Sequence, residues 1–102
     1  MKKGAFAIYC KRDGKEIIET VKGYLLDYGT FRFGIRREGK LWSITEISTG
    51  ALIGIYAPRK KDVIKVLDEN ITRLETIQRV LNSNDPEILE IQQKIRDYYT
   101  VR

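Results

Sequence analysis

The sequence contains no histidine among its 102 residues. Histidine is the most common general base and the most common metal ligand in proteins. It also activates the serine or cysteine nucleophile in most catalytic triads, so mechanisms that need an imidazole are excluded. We therefore expect a protein that is not an enzyme, with no cofactor and no metal site.

Cysteine and long apolar runs are also scarce. The single cysteine, Cys10, cannot form an internal disulfide or a cysteine-rich zinc site, and its apolar neighbours favour a structural role. The longest apolar stretches, residues 5–10 and 51–57, are far shorter than the roughly 20 residues that cross a bilayer. These absences predict a soluble, cytoplasmic protein that does not contact a membrane.

Basic residues are concentrated in the first half of the chain. Residues 1–61 contain 13 lysines and arginines against 6 acidic residues, whereas residues 62–102 contain 6 against 8. The length and the 42% hydrophobic content fit one globular domain, residues 1–102. A basic half would attract an anionic partner through its electrostatic field.

Turn residues divide the first 57 residues into runs rich in β-branched and aromatic side chains. Short turn segments ending in glycine separate these runs, as expected for hairpins. The spacing predicts an antiparallel β-meander of four to five strands, at residues 5–11, 15–26, 30–37, 40–47 and 51–56. The last strand is apolar on both sides, which predicts a covered position.

The third and fourth strands define two faces if residues 38–39 form a two-residue turn. Cross-strand partners share a face, so one face is apolar and pairs Phe33 with Ile44 and Ile35 with Trp42. The opposite face is polar and is expected to meet solvent or a ligand. Its residues are Arg32, Gly34, Arg36, Leu41, Ser43 and Thr45.

Glu46 is the one carboxylate that this register places on the apolar face, beside Trp42 and Ile44. A carboxylate in apolar surroundings needs a partner. We expect Glu46 to lie at the sheet margin, paired with a basic residue, rather than to act in catalysis.

After Tyr56 the apolar residues recur every three or four positions, which is typical of an amphipathic helix. This pattern predicts a helix from near Pro58 to Leu81 and a second from Pro86 to near Tyr99, with Asp85 as its N-cap. The predicted fold is therefore α+β. A β-sheet half, residues 1–57, is followed by a two-helix hairpin, residues 58–102, packed on one sheet face.

Two functions of different classes fit these features. The first is a protein-interaction module or homodimer, which would use a sheet edge, an apolar helix stripe or the Tyr98–Tyr99 pair. The alternative is a nucleic-acid-binding protein, although its aromatic residues alternate onto the apolar face rather than an open one. For either partner the candidate contacts are basic: Arg32, Arg36, Arg37, Lys40, Arg59, Lys60 and Lys61.

A resemblance to known proteins lies in three consecutive parts of the chain. They are residues 42–50 (Trp-Ser-Ile-Thr-Glu-Ile-Ser-Thr-Gly), the apolar strand after them, and residues 58–63 (Pro-Arg-Lys-Lys-Asp-Val). This pattern of a hairpin and a basic helix start resembles small uncharacterised proteins of phages and mobile elements from Gram-positive bacteria. The resemblance implies action by binding, including inhibition of host defence as anti-CRISPR proteins do. It carries over no catalytic residue.

Overall fold

Five β-strands in meander order form the sheet of the computed structural model, which describes residues 1–101 and their side chains through Thr100. The sheet is antiparallel throughout, with order β1-β2-β3-β4-β5. The strands are β1 (Lys2–Arg12), β2 (Lys15–Tyr28), β3 (Phe31–Glu38), β4 (Leu41–Glu46) and β5 (Ala51–Ala57). The α+β class and the five predicted strands are confirmed.

A short 3-10 turn, Lys60–Asp62, leads into the helical half of the chain. Three helices follow within the described residues, rather than the two predicted: α1 (Val63–Asp68), α2 (Ile71–Leu81) and α3 (Pro86–Val101). Along the described chain, none of these helices combines the length and apolar character needed to cross a membrane.

The first predicted helix is interrupted at Asn70. The Asn70 backbone leaves the helical region, with φ −119° and ψ 31°, and its side-chain amide donates to the carbonyl of Val66 over 2.6 Å. Asparagine side chains compete for backbone groups in this way, and they disfavour helix interiors. The prediction of one continuous helix to Leu81 is therefore wrong.

The start of α3 follows the predicted cap. The Asp85 carboxylate accepts from the Glu87 amide over 2.9 Å, and Pro86 occupies the first helical position. Further along, Lys94 of α3 pairs with Glu16 of β2, and the buried Ile95 lies close to Gly50. Helix α3 is thus anchored to the β1–β2 hairpin and the β4–β5 turn. Packing of all the helices on one sheet face stays a prediction.

The β3–β4 hairpin turns at residues 39–40, one residue later than predicted. Glu38 pairs with Leu41 and Ile35 pairs with Ile44, so every cross-strand pair differs from the prediction by two residues. A shift of two preserves the alternation of faces. The predicted apolar face is therefore correct although its register is wrong.

One core cluster joins this apolar face to the first two helices. Phe33, Ile35 and Ile44 are fully buried and pack with residues of α1 and α2. The helical members are Val63, Leu67 and Leu74. Trp42 lies on the predicted apolar face but at the margin of the cluster, where it is only half-buried.

The opposite face of β3 and β4 is not the open polar strip that the sequence predicts. Gly34, Ser43 and Thr45 are all buried there, and Arg36 is half-buried. The ring of the buried Phe6 occupies the space beside Gly34, since a Cβ atom at that position would overlap it. The sheet therefore curls until β1 covers this face of the central strands.

The outer edge of β1 is closed by other parts of the chain. The Ala7 amide donates to the Tyr99 hydroxyl over 2.7 Å, and the Tyr9 amide donates to the Gly50 carbonyl over 2.7 Å. Alternate amides on one side of an edge strand are the groups that would otherwise pair with another chain. Helix α3 therefore covers the edge at Ala7, and at Tyr9 the curled sheet approaches closure.

The last strand, β5, differs from its prediction because only one of its faces is covered. Ile53, Ile55 and Ala57 are buried, whereas Leu52 and Tyr56 are exposed. The β4–β5 ladder shifts register between Ser43 and Thr45, and Gly54, in this part of β5, has φ +73°. One face of β5 is therefore left open beside α2.

Candidate functional site

An apolar groove is bordered by α2, α3 and β5. Its volume is about 330 Å³, near the lower end of the roughly 300–1,000 Å³ range of ligand-binding pockets. The apolar lining residues are Tyr9, Ala51, Leu52, Ile53, Ile77, Val80, Leu81, Ile88 and Ile91. The polar ones are Glu46, Thr49, Arg73 and Thr76.

Helical periodicity builds the two walls. Arg73, Thr76, Ile77, Val80 and Leu81 recur at three- and four-residue spacing, so they follow one side of α2. On α3 the same spacing brings residues 88 and 91 to the groove. Val80 keeps 46% of its surface exposed, so the groove is open to a partner.

The floor of the groove contains a buried carboxylate with a complete set of partners. Glu46 is 5% exposed, and it accepts hydrogen bonds from the amides and the hydroxyls of Ser48 and Thr49 at 2.7–3.0 Å. No basic side chain of the described residues lies within 4.0 Å of it. The predicted basic partner is thus wrong, because turn donors satisfy the carboxylate instead.

Arg73 lies at the α2 wall against the backbone of β5. A Cβ atom at Gly54 would lie 2.6 Å from its Nη2 atom, so any side chain at position 54 would displace the guanidinium. Arg79, six residues further along α2, donates from Nη2 to the Thr76 hydroxyl over 3.0 Å. Both cations are therefore placed along the same helix beside the groove.

Tyr9 lines the groove opposite α2 and lies near an ion pair. Burial is the main cause that raises the pKa of Tyr9, and the negative charge of Glu16 adds to it. Lys94 bonds to Glu16 over 2.6 Å, which lowers the pKa of Glu16 and raises that of Lys94. The Tyr9 hydroxyl therefore stays neutral at neutral pH.

The seven predicted basic residues do not form one surface. Arg32 and Arg36 lie on the curled face of β3, where they pair with Asp27 and Glu38. Arg59 pairs with Asp62 over 2.8 Å. These three guanidinium groups already have carboxylate partners, which weakens their assignment as anion contacts.

Two of the remaining basic residues lie next to aromatic rings. The Lys60 ammonium is 4.0 Å from the centre of the Tyr24 ring, and Arg37 pairs across the sheet with Trp42. The Tyr24 and Trp42 rings are 6.1 Å apart and both are half-buried. These four residues are called the basic-aromatic cluster below. Lys40 and Lys61 are exposed and lie outside it.

The sequence predicted an apolar helix stripe as one possible partner surface, but it did not predict the groove that β5 and α3 complete. It also missed Lys3, which lies directly opposite Tyr24 in the β1–β2 ladder. The signal for one groove wall was present, since Ile77 and Leu81 belong to the apolar stripe of the predicted helix. The stripe left open whether these residues contact the sheet, the second helix or another chain. Only the course of α3 across the β1–β2 hairpin leaves part of the stripe uncovered.

Comparison of the chain with protein-family models, with curated proteins and with solved structures finds no match.

Proposed function

We propose that this protein is a small noncatalytic protein-interaction module that holds an apolar segment of a partner protein between α2 and α3. The observation that carries the proposal is the open apolar groove of about 330 Å³, whose wall residue Val80 is 46% exposed. Grooves between helices commonly receive the apolar side chains of a partner segment.

The other two surfaces suggested for a protein partner are engaged within the chain. The β1 edge uses its Ala7 and Tyr9 amides for bonds to Tyr99 and Gly50. The Tyr98 hydroxyl shares a hydrogen bond of 2.8 Å with Thr20. These contacts favour the groove over the β1 edge and over the tyrosine pair.

Noncatalytic action and a cytoplasmic location belong to the same proposal. The absence of histidine supports the first, and the single cysteine supports the second. The resemblance to phage and mobile-element proteins adds the hypothesis that the partner is a component of a host system, which this protein inhibits.

A displayed library of random 16-residue peptides tests the proposal. Peptides are selected on the intact protein, and their affinities are then measured for two variants. Val80→Asp places a charge in the groove, and Ile64→Asp places one on α1. Both positions are exposed and apolar, at 46% and 49%, which makes Ile64→Asp a matched control. We expect Val80→Asp to weaken binding at least about tenfold and Ile64→Asp to leave it unchanged. Equal binding by both variants would reject the groove.

The second candidate function is nucleic-acid binding through the basic-aromatic cluster. It is favoured by one observation, the placement of Lys60 and Arg37 beside half-exposed rings that a base can contact. Binding to a random-sequence single strand and to a duplex at two salt concentrations tests it. We expect Arg37→Glu with Lys60→Glu to weaken binding and flatten its salt dependence, and Arg32→Glu to do so less. An unchanged salt slope in the double variant would reject the cluster.

A further inference from the structure

The α2 wall of the groove contains Arg73, and Arg79 reaches this wall by donating a hydrogen bond to the lining residue Thr76. Neither arginine has a carboxylate partner within the described part of the chain. Among the described residues, no carboxylate oxygen lies within 4.0 Å of Arg73 or Arg79. Two exposed arginines outside the groove, Arg32 and Arg59, do have such partners. The groove therefore presents uncompensated positive charge along one wall.

The groove cannot neutralise this charge with its own acidic residue. Glu46 also lines the groove, but its carboxylate is 5% exposed and accepts four hydrogen bonds from Ser48 and Thr49. An arginine favours a carboxylate because its planar donors match the two oxygens. Charge complementarity thus calls for an anionic group on the occupant itself.

We infer that the occupant is an acidic as well as apolar segment of a partner protein. This inference rests on the proposed function. The apolar side chains of the segment lie on Val80, Ile88 and Leu52, and an aspartate, glutamate or C-terminal carboxylate pairs with Arg73. Arg79 adds positive charge near Thr76 and extends the attraction along α2.

Gly54 has a specific part in this arrangement. Its φ of +73° favours glycine, and a side chain there would collide with the guanidinium of Arg73. The irregularity of the β4–β5 ladder therefore leaves space in which the Arg73 guanidinium lies against the strand backbone.

The peptides selected from the random 16-residue library also test this inference. We expect the selected sequences to be enriched in aspartate or glutamate at a fixed distance from apolar residues. Arg73→Gln is expected to weaken their binding about tenfold, whereas Arg96→Gln, an exposed arginine of α3 outside the groove, is expected to have no effect. Replacing the peptide carboxylate by its amide is expected to weaken binding to the intact protein but not to Arg73→Gln.

The outcomes separate this inference from the proposed function. Binding that is lost in Val80→Asp but unchanged in Arg73→Gln would overturn the acidic occupant and keep the groove. Peptide binding that neither variant alters would overturn both. A protein that sediments as a dimer, and as a monomer after Val80→Asp, would show that a second copy occupies the groove and would overturn the inference.

Discussion

The ring of Phe6 occupies the position that a side chain of residue 34 would take. Phe6 belongs to β1 and Gly34 to β3, and both residues are buried. The two strands are not neighbours in the sheet, since β2 lies between them. Their contact therefore requires the sheet to curl, and the missing Cβ atom of Gly34 allows the close approach.

Gly34→Ala is expected to destabilise the protein by about 1–3 kcal/mol, because the added methyl group overlaps a buried ring. Gly34 has no positive φ, so the effect is steric rather than conformational. In a Phe6→Leu background the penalty is expected to fall by about 1 kcal/mol or more, as measured by urea denaturation. Additive losses would show that Phe6 does not fill this space.

Glu46→Ala is expected to cost at least about 2 kcal/mol of unfolding free energy. The substitution leaves the amide and hydroxyl of buried Thr49 without their charged acceptor. Glu75→Ala, at an exposed position of α2, is the control and is expected to change stability by less than about 0.5 kcal/mol. Similar thermal unfolding of the two variants would contradict the assigned role of Glu46.

The ion pair between Glu16 and Lys94 is expected to weaken in acid. The hydrogen bond from Lys94 lowers the pKa of Glu16 below its usual value of about 4.3. A lowered folded-state pKa means that the contribution to stability is present above the unfolded-state pKa and is lost as the pH falls through the folded-state pKa. An NMR titration is expected to show the Glu16 pKa rising in Lys94→Met. An unchanged titration would rule out the pair in solution.

Tyr99→Phe is expected to release the edge of β1. The substitution removes the hydroxyl that accepts from the Ala7 amide and leaves that buried amide unpaired. Hydrogen exchange at Ala7 is expected to accelerate at least about tenfold, while exchange at the central strand residue Ile35 changes little. Tyr56→Phe, at an exposed tyrosine of β5, is the control and is expected to leave both rates unchanged.

The periodicity of the sequence was enough to predict the five strands and the apolar face of β3 and β4. Alternation in β3 and β4 placed Phe33, Ile35 and Ile44 correctly on the buried face even though the register was wrong by two residues. A two-residue error keeps each side chain on its face, whereas the identity of the opposite residue depends on which glycine-containing turn forms. The cap of α3 was equally predictable, because its bond joins Asp85 to Glu87 two positions away.

The sequence could not predict contacts between segments that are distant along the chain. The predicted polar strip is covered because Phe6 reaches Gly34. Alternation along β3 already puts Arg32 and Arg37 on opposite sides of the strand, but the seven basic residues were grouped by charge alone. A count of charges along the chain does not show on which side of a strand each charge lies. The interruption of the helix at Asn70 arises from a local backbone change. The sequence pattern did not reveal it, because the apolar residues keep their helical spacing on both sides of Asn70.

The sequence by itself determined an α+β chain without histidine, with a basic first half and amphipathic helices. Those properties arise from composition and from periods of two or about 3.6 residues, which need no tertiary information. The tertiary structure decided that β1 curls over Gly34 and that α3 crosses the β1–β2 hairpin beside Glu16. The groove beside Arg73 exists because that path leaves part of α2 uncovered, and such a path depends on long-range packing rather than on local pattern.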